Sequence, residues 1–261
     1  MTMRTEAELP FFFGDRGELF GIYHAAVPKA GKAVLLCAPL GQDQIRCHRL
    51  YRQLAHALAA EGIPTLRFDY YGSGDSIGGS EDVRWDRCLR DTVTAANELR
   101  ARSGLDRVVA FGARLGGSMA LEASLAARFA DVVVWDPVVD GHAYVATLDA
   151  MQDALRQDTT RFIRPRPAEL ATEQWLGFAV NPELRAQISA LGSVWQASPS
   201  LLLDSLPQTT PHAWKALAVD DASITVLHPP TLWDDLAKLE LAILSPPLVK
   251  TVTAHVRGAH A

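Results

Sequence analysis

At 261 residues, with 48% of them hydrophobic and 21% charged, the chain is long enough to bury a full core, and an α/β fold of about 250 residues commonly forms a single domain. A formal net charge of -5 and a pI near 5.9 exclude the concentrated basic surface that nucleic acid or an anionic membrane requires. Cys37, Cys47 and Cys88 are an odd number without C-x-x-C spacing, which argues against a disulfide framework or a zinc site and for reduced thiols in the cytoplasm.

The N-terminal apolar run Leu9 to Phe13 is too short for a signal peptide. No stretch approaches the roughly 20 apolar residues of a membrane span. Residues 9 to 26 alternate around Gly14 and Gly17, predicting an antiparallel hairpin from Pro10 to His24. Lys32 to Cys37 reads as a buried strand, followed by the loop Ala38-Pro39-Leu40-Gly41-Gln42. A helix over Ile45 to Ala60 and a strand over Pro64 to Tyr70 complete a parallel crossover.

The glycine turn Gly72-Ser73-Gly74-Asp75-Ser76 then leads to a helix over Trp85 to Ala101. Arg107 to Phe111 predicts a strand, the glycine-flanked corner Gly112 to Gly117 a sharp turn, and the residues from Leu115 an Ala- and Leu-rich helix. Asp131 to Trp135 is the next strand. From about His142 to Ala197, apolar residues at helical spacing, Met151, Leu155, Phe162, Trp175, Leu176, Phe178, Leu184 and Ile188 among them, are broken by Pro165, Pro167, Asn181 and Pro182. This predicts a helical cap after the sixth strand, or else a second small domain packed elsewhere. The core resumes with a strand over Ser200 to Leu206, a helix over Thr210 to Asp220, a strand over Ser223 to Leu227, and a terminal helix over Trp233 to Val256 interrupted at Pro246-Pro247.

Strand, corner and helix around residue 114 have the shape of a nucleophile elbow, G-x-S-x-G, but the central residue is Arg114. A guanidinium stays protonated and cannot accept an acyl group as a hydroxyl or thiol does. The corner lacks the G-x-G-x-x-G spacing of a dinucleotide site and the lysine of a phosphate loop, and the histidines show no metal-ligand spacing. Neither a cofactor nor a metal is expected.

The segments CHRLYRQLAHALAAEGIPTLRFDYYGSGDS, VVVWDPVVDGHAYV and PPTLWDDLAKLE make the chain resemble the α/β-hydrolases, and within them the bacterial hydrolase-like proteins associated with exosortase A systems. That resemblance implies a mostly parallel central sheet with helices on both faces, a core over 1–141 and 198–261, and a helical cap over 142–197. Members of the narrower group often carry arginine at the elbow. In the superfamily the acid follows the sixth or seventh strand and the histidine the eighth, which implies Asp136 or Asp204 and His228. The oxyanion donors fall at the backbone of Leu115 and of Leu40, next to Gly41.

Asp136 reads either as a partner of Arg114 or as a turn residue before Pro137, and Asp204 as an acid or a strand-end residue. His255 and His260 read as tail residues. Trp175, Trp195 and Trp233 suit a pocket or a contact surface equally. Three functions follow: an unusual acyl- or carboxylate-transforming enzyme using Arg114, a binding protein for a free or carrier-bound acyl or carboxylate ligand, and a pseudoenzyme whose Arg114 is tied up internally. A hydrolase using Ser118, Ser73 or Ser76 as its nucleophile is the remaining alternative.

Overall fold

In the computed structural model, which describes residues 8–161, 164, 173–192, 195–207 and 213–258, the expected first hairpin is present. Gly14 and Gly17 adopt φ of +91° and +67°, and the Gly17 N–H closes the turn on the Gly14 carbonyl at 3.1 Å. This folds β1 (Glu8–Phe13) back onto β2 (Leu19–His24).

The strands that follow are β3 (Ala33–Cys37), β4 (Thr65–Phe68), β5 (Val108–Ala113) and β6 (Asp131–Trp135), a detached hairpin of β7 (Gln174–Trp175) and β8 (Phe178–Ala179), then β9 (Leu201–Asp204) and β10 (Ile224–Val226). Eight of them form one sheet in the order β1-β2-β4-β3-β5-β6-β9-β10, antiparallel at the β1-β2 and β2-β4 pairings and parallel from β4 to β10.

The helices are α1 (Gly41–Ala60), α2 (Trp85–Ser103), α3 (Leu115–Glu122), the single turn α4 (Ser124–Ala127), α5 (Gly141–Gln157), α6 (Pro182–Ser189) and α7 (Pro246–Gly258). The alternation of strand side chains sorts the core into two layers. Val34, Leu36, Phe111 and Trp135 turn toward α1 and α7, whereas Ala33, Leu35, Ala110 and Val134 turn toward α2 and α3. Burial on both faces explains why these strands are continuously apolar. Truncating fully buried Leu35 to Ala would cost about 2–5 kcal/mol.

Between β6 and β9 the chain is not purely helical. α5 is capped by the Asp140 carboxylate, which accepts from the Ala143 N–H, and α6 by Asn181, which accepts from the Leu184 N–H ahead of Pro182. The β7–β8 hairpin lies between these helices, where an apolar spacing compatible with a helix is interrupted by Gly177 at φ +98°. Phe162 and the prolines 165 and 167 lie outside the described residues.

Two further expectations are corrected. The helix expected over Thr210 to Asp220 is, in its described part, a 3-10 turn over Ala213–Leu217. Trp233 to Ser245 is not helical either, apart from a 3-10 turn at Leu236–Lys238. Pro246 begins α7 instead of interrupting a longer helix, because a missing N–H is harmless in a first turn. No helix among the described residues is long and apolar enough to cross a membrane.

Candidate functional site

The turn between β5 and α3 is built by close approach. A Cβ at Gly112 would run into the Gly116 carbonyl, and one at Gly116 into the Cys37 carbonyl of the neighbouring strand. Arg114 sits between them at φ +49° and ψ -128°, a conformation costing on the order of 1–3 kcal/mol for a residue with a side chain. It is held there by its own N–H, which donates to the Trp135 carbonyl at 3.0 Å, and by its carbonyl, which accepts from Gly117 and Ser118. At the end of the adjacent strand Asp136 has φ +42°, so two strained positions stand side by side at the carboxyl edge of the sheet.

The Arg114 side chain is buried and surrounded. Nε lies 3.5 Å from Asp43 Oδ2 and Nη2 lies 3.7 Å from Asp234 Oδ1, while the guanidinium carbon is 5.2 Å from the Tyr144 ring centre and 5.1 Å from that of Trp233. The Asp43 contact is too long for a good hydrogen bond, and the buried Nε has no acceptor. Burial works against the Arg114 charge, but Asp43, Tyr144, Asp234 and Asp136 outweigh it and hold its pKa above the ordinary value. Burial also pushes the Asp43 carboxyl up, against the pull of Arg114 and Arg46.

Asp136 is not the ion-pair partner of Arg114. Its carboxylate accepts from the Ser205 N–H at 2.7 Å, the Ser205 hydroxyl at 2.5 Å and the Trp233 indole N–H at 2.8 Å. Burial raises its pKa, with these donors opposing the rise. The indole also packs on Trp135, ring centres 4.8 Å apart. Arg46 fixes the loop that carries Trp233 and Asp234: its guanidinium donates to the carbonyls of Trp233 at 2.6 Å, Leu232 at 2.9 Å and Leu241 at 3.4 Å.

A cavity of about 420 Å³ opens above this cluster. Leu40, Gly41 and Leu115 line it at the start of α1 and α3, where the first helical N–H groups have no partner within the helix. The turn after β4 supplies Ser73 and Ser80, and α5, the β7–β8 hairpin and α6 supply apolar cover that includes Leu148, Phe178 and Ile188. Arg114 stands behind the wall formed by Asp43, Tyr144, Trp233 and Asp234. Asp43 and Asp234 are the only charged side chains on that wall among the described residues, so with Arg114 the local formal charge is -1. Arg114 itself is not among the residues on the cavity wall.

The other candidates fall elsewhere. His228 is exposed and off the cavity wall: Leu227 turns into the core, and its chain neighbour faces solvent. Asp204 is buried, accepting from the Trp214 indole at 2.9 Å and the Leu206 N–H at 3.1 Å, which is a strand-end role. Ser118 is fully buried and donates to the Val138 carbonyl at 2.7 Å. Ser73 lines the cavity but donates to Gln44 Oε1, and Ser76 donates to the Asp69 carbonyl. His255 belongs to α7 and lies 2.9 Å from the Ser200 hydroxyl.

Sequence spacing missed Asp43, Tyr144 and Asp234, which converge from three elements, and left Trp233 undecided. It also missed a cluster of Glu8, His24 and His56, whose potential ligand atoms lie within 4.8 Å of one another. Arg52 contacts Glu8 at 2.8 Å and Arg67 donates to His24 Nε2 at 3.0 Å, so two guanidinium groups already engage ligand atoms of this cluster.

The family model described as Serine aminopeptidase, S33 matches residues 45–176, about half of the chain. A comparison with curated proteins yields no match. Among solved structures the chain is similar to an α/β serine hydrolase without lid from Xanthomonas campestris, with 17% identity, TM-score 0.57, and 98% of this chain and 95% of that one covered. It is also similar to Est1E from Butyrivibrio proteoclasticus, with 13% identity, TM-score 0.59 and coverage of 96% and 98%. A carboxyl esterase from Bacillus coagulans gives 11% identity, TM-score 0.61 and coverage of 97% and 99%. At these identities the likeness concerns the fold alone. The sheet order, the helices on both faces and the extent of the family match together establish that the chain belongs to the serine aminopeptidase S33 family and has the α/β-hydrolase fold.

Proposed function

We propose that the chain binds a small acyl molecule, an ester or amide, in the cavity above the β5–α3 turn, and that it does not hydrolyse that molecule through a serine. On this reading the turn is a nucleophile elbow from which the nucleophile is missing, as in the exosortase-associated proteins the sequence resembles. One observation carries the reading: the side chain at position 114 is a guanidinium held between Asp43 and Asp234.

The residues over 142–197 are assigned as the cap, and among those described Leu148, Phe178 and Ile188 give the cavity apolar cover. The N–H groups at the starts of α1 and α3 suit the acyl carbonyl oxygen. Est1E, a structural neighbour, has been solved with ferulic acid bound, which fits an acyl-type ligand here. The three free thiols are buried, in keeping with a cytoplasmic protein.

Treatment with a fluorophosphonate probe, followed by intact-mass analysis, should leave the protein unlabelled. Short-chain p-nitrophenyl esters should raise its melting temperature without release of p-nitrophenol. Leu148→Trp, which fills the cavity, should remove that thermal shift. A covalent adduct on Ser73 or any other hydroxyl, or ester turnover above background, would overturn the reading.

A further inference from the structure

We infer that the cavity selects a head group carrying N–H donors and no negative charge, an acyl amide or an alkyl amine, over the free carboxylate of the same chain length. This rests on the acyl-binding reading above, within which it names the amide; the alkyl amine shares the chain and the N–H donors and serves as the probe of charge.

The neutral polar side chains nearest the acids are already engaged. Gln42 Nε2 donates to the Leu239 carbonyl at 2.7 Å, and Gln44 is bonded to Ser73 at 2.6 Å and Asp69 at 3.0 Å. Asp43 and Asp234 are different. Their contacts with Arg114 are long, the Tyr144 hydroxyl reaches Asp43 at only 3.5 Å, and more than half of the Asp234 side chain is exposed. Each retains acceptor capacity that an incoming N–H group can use.

On the opposite side of the balance, the starts of α1 and α3 bring the backbone at Leu40 and Leu115 to the cavity wall, where first-turn N–H groups have no partner within the helix. A head with one carbonyl oxygen and one N–H satisfies both sets. A carboxylate would add a further negative charge beside Asp43 and Asp234 on a wall that carries no cationic side chain of its own, Arg114 standing behind it. An ammonium would bring the local formal charge from -1 to zero.

The test is calorimetric titration at pH 7.5 with octanoate, methyl octanoate, octanamide and octylamine. Octanamide and octylamine should each bind at least about tenfold more tightly than octanoate, the order of one charge contact in a partly screened site. Asp234→Asn, a change at an exposed side chain, should shrink the octylamine-to-octanoate ratio by about fivefold or more. Equal or tighter binding of octanoate, or an unchanged ratio in Asp234→Asn, would overturn the inference while leaving the acyl reading in place. Failure of all four compounds to bind would remove the acyl reading and this inference with it.

Discussion

The indole Nε1 of Trp233 donates to Asp136 Oδ2 at 2.8 Å, joining the loop after β10 to the end of β6. These are the strand ends from which the fold family draws its histidine and its acid. At these strand ends, where the resemblance implies an acid and a histidine, the donor to the carboxylate is an indole. Trp233→Phe keeps an aromatic ring but removes the donor together with part of the buried indole. It should destabilise the protein by about 1–3 kcal/mol, since a buried carboxylate loses one of its three donors, and lower the melting temperature by about 2–4 °C per kcal/mol. Calorimetric melting at pH 7.5 checks this, and an unchanged melting temperature would show that the bond contributes nothing.

The proposed reading, an elbow without its nucleophile, predicts which substitutions would introduce serine chemistry at residue 114. Arg114→Ser alone should remain unreactive, because an indole cannot take the proton from a serine hydroxyl. Arg114→Ser combined with Trp233→His should gain labelling by a fluorophosphonate probe, with the adduct on residue 114 in a peptide map. Arg114→Ser combined with Leu227→His should not, because Leu227 is buried in the core, and the native His228 gives the single variant no base because it faces solvent. Labelling of the single Arg114→Ser variant would argue that some other base is within reach.

The sheet was legible because burial on both faces leaves apolar runs such as Ala33 to Cys37. Glycines at 112, 116 and 117 marked the turn because close backbone contact forbids a side chain there. The charge state of the pocket was not legible in the same way. Asp43 lies in the first turn of α1 and Asp234 follows β10, and neither stands at a spacing from Arg114 that a linear pattern records. Trp233 to Ser245 has helical periodicity, yet Arg46 holds its carbonyls in another shape, a tertiary effect that outweighs local preference.

Asp43 compensates a buried cation, so removing it alone should be costly. Asp43→Asn should destabilise by about 2–4 kcal/mol, less than the loss of a fully desolvated, well-bonded pair, because Asp234 remains and the separation is 3.5 Å. Asp43→Asn with Arg114→Met should recover part of that loss. Urea unfolding of the two single variants and the double variant gives the coupling energy directly. Strict additivity would mean that the two groups do not interact.

Arg46 offers a test of how the Trp233–Asp234 loop is positioned. Arg46→Met retains much of the buried side-chain volume but strips donors from the carbonyls of Leu232, Trp233 and Leu241. A loss of about 2–4 kcal/mol is expected, from the charge-assisted hydrogen bonds and the carbonyls left without partners. Limited proteolysis should find new cleavage sites between residues 231 and 243, whereas cleavage confined to the wild-type sites would show that the loop holds its shape without Arg46.

His24 should set part of the acid limit of stability. It is fully buried on β2, its Nε2 accepts from Arg67 Nε, and the charged or titratable groups around it are Glu8, Arg52, His56 and Arg67. Burial, followed by the Arg67 charge, lowers its pKa from 6.5 to about 4, with Glu8 opposing. The unfolded chain therefore takes up a proton near pH 6.5 that the folded chain refuses until about pH 4. Stability from this group is complete above the higher value and is lost as the pH falls through that window. His24→Gln can still accept from Arg67 but cannot titrate. Wild type should lose up to about 3 kcal/mol more than His24→Gln between neutral pH and the lower end of that window. Parallel pH dependences of urea unfolding in the two proteins would show that His24 is protonated as readily in the folded chain as in the unfolded one.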